Sequence, residues 1–226
     1  MVFKKECLER AIKAMILNGL GFTHKRLYLF PNFFMNIPTE KLLGEGIDPS
    51  DLNDDVVGRT LDAIYKYGAT ELFNQIALHV MGQFSLGTQL IHVDTTNFSV
   101  SGKYENDAPD ATDSIRIAFG HAKDGRTDLK RFVLGLVTNQ VGLPLFTKAF
   151  SGNESDKNSI IYMIRKAQHS LDFDDKAYWV ADSAMYTENN IVLLGTDTKW
   201  ITHVPATVGD IDKLLNADLD FSPSTD

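Results

Sequence analysis

Residues 89–102 read QLIHVDTTNFSVSG. Leu90, Ile91 and Val93 supply the body of a β-strand, and Asp94 stands where that strand is expected to give way to Thr95, Thr96 and Asn97. A second stretch has the same form: Tyr178, Trp179, Val180 and Ala181 run into Asp182 and Ser183. Two buried strands that each deliver one Asp at the C-terminal end predict a carboxylate pair able to share metal ions. His92 alternates onto the face of Asp94 and reads as a packed histidine, since magnesium prefers oxygen.

Working outward, the period changes at Gly87. Before it the apolar residues recur at helical spacing. Residues 4–20 predict a helix with Leu8, Ala11, Ile12, Met15 and Ile16 on its apolar side. A short aromatic segment, 27–34, follows. Pro38 opens a second helix, ending at Gly44. Asp51 or Asn53 caps a third with Val56, Val57, Leu61 and Ile64 as its stripe, and Thr70 caps a fourth carrying Leu72, Phe73, Ile76, Ala77 and Val80. Residues 1–86 therefore form an all-helical region. It serves as a packing layer or as a DNA-contacting or dimerising module.

After Gly87 the expected order is strand 89–98, an acidic loop with Asp107, Asp110 and Asp113, strand 132–139, a turn at Gln140–Gly142 and strand 143–150. A helix capped by Ser155 or Asp156 follows, with Ile160, Ile164, Ala167 and Leu171 on one face. Strand 177–181, helix 188–194 and strand 200–204 complete the series. Three antiparallel strands followed by helix-linked strands describe a ribonuclease H-like sheet. A right-handed crossover then brings strand 177–181 beside the first strand, and Asp94 beside Asp182. The fold class is α/β: an all-helical N-terminal region, 1–86, then an incomplete ribonuclease H-like mixed sheet with flanking helices, 87–226.

The chain has 226 residues, a formal net charge of −8 and one cysteine, Cys7. One cysteine excludes an internal disulfide framework and a cysteine-rich zinc site. The acidic balance argues against the whole surface binding DNA, so positive charge must be local. It is found in residues 120–131, GHAKDGRTDLKR, where Lys123, Arg126, Lys130 and Arg131 outnumber Asp124 and Asp128. These four are the candidate phosphate contacts; the alternative is a solvated loop with internal ion pairs. Trp179 and Trp200 read as core. Either aspartate alone is more often a turn former or helix cap. Together they would repel unless a divalent cation bridged them, and Mg²⁺, held by one or two carboxylates plus substrate phosphate, suits such a pair, with Mn²⁺ as an alternative. No apolar run is long enough to span a bilayer.

The stretches IHVDTTNFSVSG, GHAKDGRTDLKRFVLGLVTNQVGLPLFTKAFSGNESD, YWVADSAMYTENNI and KWITHVPAT resemble the bacterial insertion-sequence DDE transposases whose ribonuclease H-like core carries a β insertion. The pattern G-x-x-K-D-x-R-x-D-L-K, then G-x-P-L, then G-N-x-x-D carries the likeness, and the N-terminal helical stretch is similar to the region before the core in one branch. The resemblance implies DNA transposition: hydrolysis at element ends and transfer of the 3′-hydroxyl to target DNA, with Asp94 and Asp182 as the first two catalytic, metal-binding acids. It also implies double-stranded transposon-end and target DNA as partners, a homodimer, no membrane, and a cytoplasmic, nucleoid-associated bacterial location. The family's third acid is a Glu on a helix beyond the insertion. Glu188 comes too early for that role, and Asp210, Asp212, Asp218 and Asp220 lie in a tail. The expectation is a fragment ending before that residue, with little or no strand-transfer activity. The rival expectations are a non-catalytic remnant that binds DNA or an intact transposase, and a general ribonuclease H-like nuclease.

Overall fold

The computed structural model describes residues 5–20, 29–105, 115–122, 124–171, 173, 176–209, 211, 213, 216 and 217. The chain divides into two compact units, Met1–Leu72 and Phe73–Asp226.

The first unit is helical. Helix α1 (Lys5–Gly19), α2 (Phe30–Phe34), α3 (Thr39–Leu43) and α4 (Asp54–Tyr67) are followed by α5, Ala69–Phe84, within which the division falls. Ala14, Phe30, Phe34, Leu43, Leu52 and Val57 form its core. The buried line of α1 is Ala11 and Ala14, so Ile16, expected inside, is exposed. Pro38 is the N-cap of α3 and not its first residue. Asn53 caps α4 by accepting the Val56 N–H, and Gly68 ends it. Thr70 lies inside α5, so it does not cap it, and Ile76 on the expected stripe is exposed. A 3-10 turn at Pro49–Leu52, closed by a reciprocal Asp48–Asp51 capping box, was not foreseen.

The second unit is a five-stranded mixed sheet in the order β3-β2-β1-β4-β5 with helices on one face. The strands are β1 (Leu90–Val100), β2 (Lys130–Asn139), β3 (Pro144–Ser151), β4 (Tyr178–Ala181) and β5 (Lys199–Thr202). β1–β2 and β2–β3 are antiparallel, and β4 lies parallel to both β1 and β5. This is mixed α/β architecture of ribonuclease H-like type.

Alternation decides which face is covered. The odd-numbered residues of β2, and of β1 as far as Thr95, among them Ile91, Val93, Val133 and Val137, are buried. They meet helix α6 (Asp156–Ser170), whose Ile160, Met163, Ile164 and Ala167 are also buried, and Leu194 of α7 (Glu188–Leu194) joins the same core. Ser155 caps α6 by accepting the Asn158 N–H. Trp179 is core, and Trp200 packs against it half-buried. Gly135 in the middle of β2 is the socket for Met163: a Cβ there would overlap the Met163 sulfur. A side chain at that position would force the buried Met163 side chain to move.

Two expectations change here. β1 does not end at Asp94, because β2 pairs with it from Ile91 to Val100 and keeps it extended. His92 is exposed and not packed, since it falls on the even-numbered face.

Candidate metal centre and its flanking loop

Asp94 sits mid-strand on β1, yet it stands at the end of one pairing. The parallel β1–β4 register runs Leu90↔Tyr178, Ile91↔Trp179, His92↔Val180, Val93↔Ala181 and then stops. The next residue on β1 is Asp94 and the next on β4 is Asp182. Residues level with one another on neighbouring parallel strands point to the same face, here the face opposite α6. Both aspartates are exposed.

Each carboxylate is steadied by one backbone donor. The Thr95 N–H donates to Asp94 Oδ1 at 2.7 Å. The Ala184 N–H donates to Asp182 Oδ1 at 3.0 Å, which makes Asp182 the N-cap of a short 3-10 turn, Ser183–Met185. The Thr202 hydroxyl fixes the Asp182 carbonyl at 2.6 Å. Among the described residues no hydrogen bond reaches Oδ2 of either aspartate. Asp182 thus caps the turn with one oxygen while its backbone follows the end of the β1–β4 register. Two carboxylates with open oxygens at a solvated sheet end fit a hard divalent cation that keeps waters or phosphate oxygens as its other ligands. Among the described residues no third His, Cys, Asp or Glu completes a metal cluster with them. Asp210, Asp212, Asp218 and Asp220 lie outside the described residues.

The 120–131 loop is arranged differently. Arg131 is 0% exposed. Its Nη1 donates to the His121 carbonyl at 3.2 Å, and Nη2 donates to the Arg126 and Leu129 carbonyls at 2.6 and 3.3 Å. Asp124 stands 3.5 Å from Nη1, and Nε has no partner among the described residues. A buried guanidinium cannot meet a phosphate, so Arg131 is not a nucleic-acid contact here but the centre on which the loop folds. The sequence held the signal. With β2 starting at Lys130, Arg131 is in phase with Val133 and Val137 and must face inward.

The other cations are engaged as well. Arg126 forms a two-pronged pair with Asp128, Nε to Oδ1 and Nη2 to Oδ2, both 2.8 Å. Those bonds hold the Asp128 carboxyl at a pKa of about 2 and raise that of Arg126. Lys130 Nζ donates to the Lys103 and Tyr104 carbonyls at 2.6 and 2.8 Å. Asp124 accepts from the Ser99 hydroxyl at 2.7 Å and from the Arg126 N–H, which lower its pKa. Lys123 lies outside the described residues. Arg126, Lys130 and Arg131 thus each have protein partners, the first exposed, the second half-buried and the third buried.

The glycines of the motif serve this corner. Gly120 and Gly152 bring two backbones together: a Cβ on Gly120 would overlap the Gly152 carbonyl, and one on Gly152 the Arg131 carbonyl. Beside them a cleft of about 270 Å³ is lined by residues that include Asn97, His121, Glu154, Lys157 and Ala184. A concavity of about 570 Å³ in the first unit, lined by Phe34, Met35, Ile37 and Thr39, shares no residue with the carboxylate pair. Among the described residues no helix is long and apolar enough to cross a membrane.

Residues 6–78 match the model of a domain of unknown function, DUF4277. No curated protein sequence matches the chain. Among solved structures, the Mos1 transposase paired-end complex with left transposon end is 11% identical over 87% of this chain and 59% of its own, with a TM-score of 0.34. The Mos1 strand transfer complex gives 10% identity over 87% and 58%, with a TM-score of 0.34. The Mos1 mariner paired-end complex with Mn gives 11% over 60% and 42%, with a TM-score of 0.32. The chain therefore spans less than two thirds of each Mos1 chain. These superpositions are loose, and the chemistry of the site rests on this chain's own residues.

Proposed function

We propose that the second unit is the catalytic core of a DDE-type transposase, in which Asp94 and Asp182 hold Mg²⁺ or Mn²⁺ for phosphodiester hydrolysis and strand transfer on double-stranded DNA. One observation carries the reading: the β1–β4 register ends at Val93↔Ala181, so the two motif aspartates follow as neighbours on one solvated face. The motif likeness described above assigns the same two residues. When bound, divalent ions supply electrostatic stabilisation to the attacking and leaving oxygens of such a displacement. The chain's own part is orientation. The Thr95 and Ala184 amides each hold one oxygen and leave the other open. We take residues 87–226 as the core, a homodimer acting on transposon ends and target in the bacterial nucleoid as the assembly, and Arg126 and Lys130 as outlying backbone contacts.

Manganese titration by calorimetry tests the centre. Wild type should bind Mn²⁺, and Asp94→Asn or Asp182→Asn should each weaken binding about tenfold or more with the fold intact. Unaltered binding in both variants would remove the metal reading. Nicking of labelled duplex that needs Mg²⁺ or Mn²⁺ and disappears in Asp94→Asn would extend the centre to catalysis. DNA binding without nicking would favour the second reading, a non-catalytic binder of DNA or of an intact transposase.

A further inference from the structure

We propose that Phe98 and Phe132 form a stacking platform for an unpaired base of a single DNA strand, a role that rests on the nucleic-acid reading above. The two rings face each other across β1 and β2 at 5.1 Å between centroids, with planes 8° apart. Phe98 is 43% exposed. Along β1, Asp94, Thr96 and Phe98 share the face opposite α6, which puts the platform about 13 Å from Asp94 at strand rise. The geometry favours an unpaired strand over a duplex, because a base can lie on an aromatic face only after leaving its own stack.

Charge and access agree. Lys130 follows on the same face of β2, and Lys103 is exposed at the exit of β1. The Lys130 ammonium gives two of its three donors to the Lys103 and Tyr104 carbonyls, which leaves one donor and its charge two residues along β2 from Phe132. β4 stops at Ala181, so beyond Asp94 no described strand pairs with that edge of β1. With the inner faces of the two rings against each other, the outer face of the exposed Phe98 can extend the stack by one base, and the nearby lysines suit its phosphate.

The test is fluorescence anisotropy of a fluorescein-labelled single-stranded 12-mer of deoxythymidylate, with the whole chain in EDTA at low salt. Wild type should bind it more tightly than a duplex of equal length. Phe98→Ala should weaken binding about tenfold, with an unchanged unfolding temperature. Phe98→Trp should retain binding, which separates stacking from damage to the sheet. Lack of binding by wild type, or Phe98→Ala binding like wild type, overturns the platform. The measurement excludes metal, so its failure beside an intact Mn²⁺ site would remove the platform alone. Loss of the Mn²⁺ site would leave the platform result standing.

Discussion

Among the described residues Asp94 and Asp182 each have one carboxylate oxygen without a hydrogen-bond partner, while Arg126, Lys130 and Arg131 in the 120–131 loop all have protein partners. Both regions are dense in motif residues and charge. The difference lies in which side of a strand each residue occupies and in what its neighbours offer. The aspartates lie on the uncovered face where a pairing ends. Arg131 lies on the covered face, where carbonyls are the nearest acceptors. A charged motif residue that is fully engaged by its own backbone is part of the frame; one with open valences is available to a ligand.

The sharpest way to break this contrast is Arg131→Met. If Arg131 organises the loop, its removal strands the His121, Arg126 and Leu129 carbonyls, at about 3 kcal/mol in all. Thermal unfolding should then fall by about 6–12 °C. A variant as stable as wild type would mean that the loop folds without it. Gly152→Ala comes next, because its Cβ would overlap the Arg131 carbonyl and no flexible side chain can yield. The expected loss is about 2 kcal/mol, read by chemical denaturation. On the other side of the comparison, Asp94→Asn should leave the unfolding temperature unchanged while Mn²⁺ affinity falls tenfold; a large stability loss would make Asp94 a frame residue too.

The smallest effect is at Asp128. Its folded pKa of about 2 lies below the ordinary 3.8. A depressed carboxylate pKa contributes stability above the unfolded value, and that contribution is lost as pH falls from about 4 through about 2. Asp128 is exposed, so screening keeps the effect on stability slight. Carboxyl titration by NMR should find the low value in wild type and an ordinary one in Arg126→Gln.

Much of this was legible in the sequence. Apolar runs bounded by turn residues located the five strands, and the crossover rule set strand 177–181 parallel beside the first. Helix 188–194 and the inward face of α6 followed from helical spacing. What remained hidden depended on long-range pairing. The extension of β1 to Val100 is imposed by β2. Counting charges in the 120–131 loop treated Arg131 as free, whereas extending the alternation of β2 by two residues would have turned it inward. Rotation of α1 toward its alanines is a packing outcome, because small residues let helices approach closely and hydropathy alone favours the larger Ile16.

The Met163 socket under Gly135 has a chemical consequence. The Met163 thioether is wholly buried, whereas Met35 is 67% exposed. Hydrogen peroxide oxidises methionine sulfur only where it can reach it. Sulfoxide should form at Met35 at the rate of a free side chain, and at Met163 only when α6 lifts from the sheet. The ratio of the two rates, read by peptide mass spectrometry, would then time the opening of the helix–sheet interface in the native protein without any added probe.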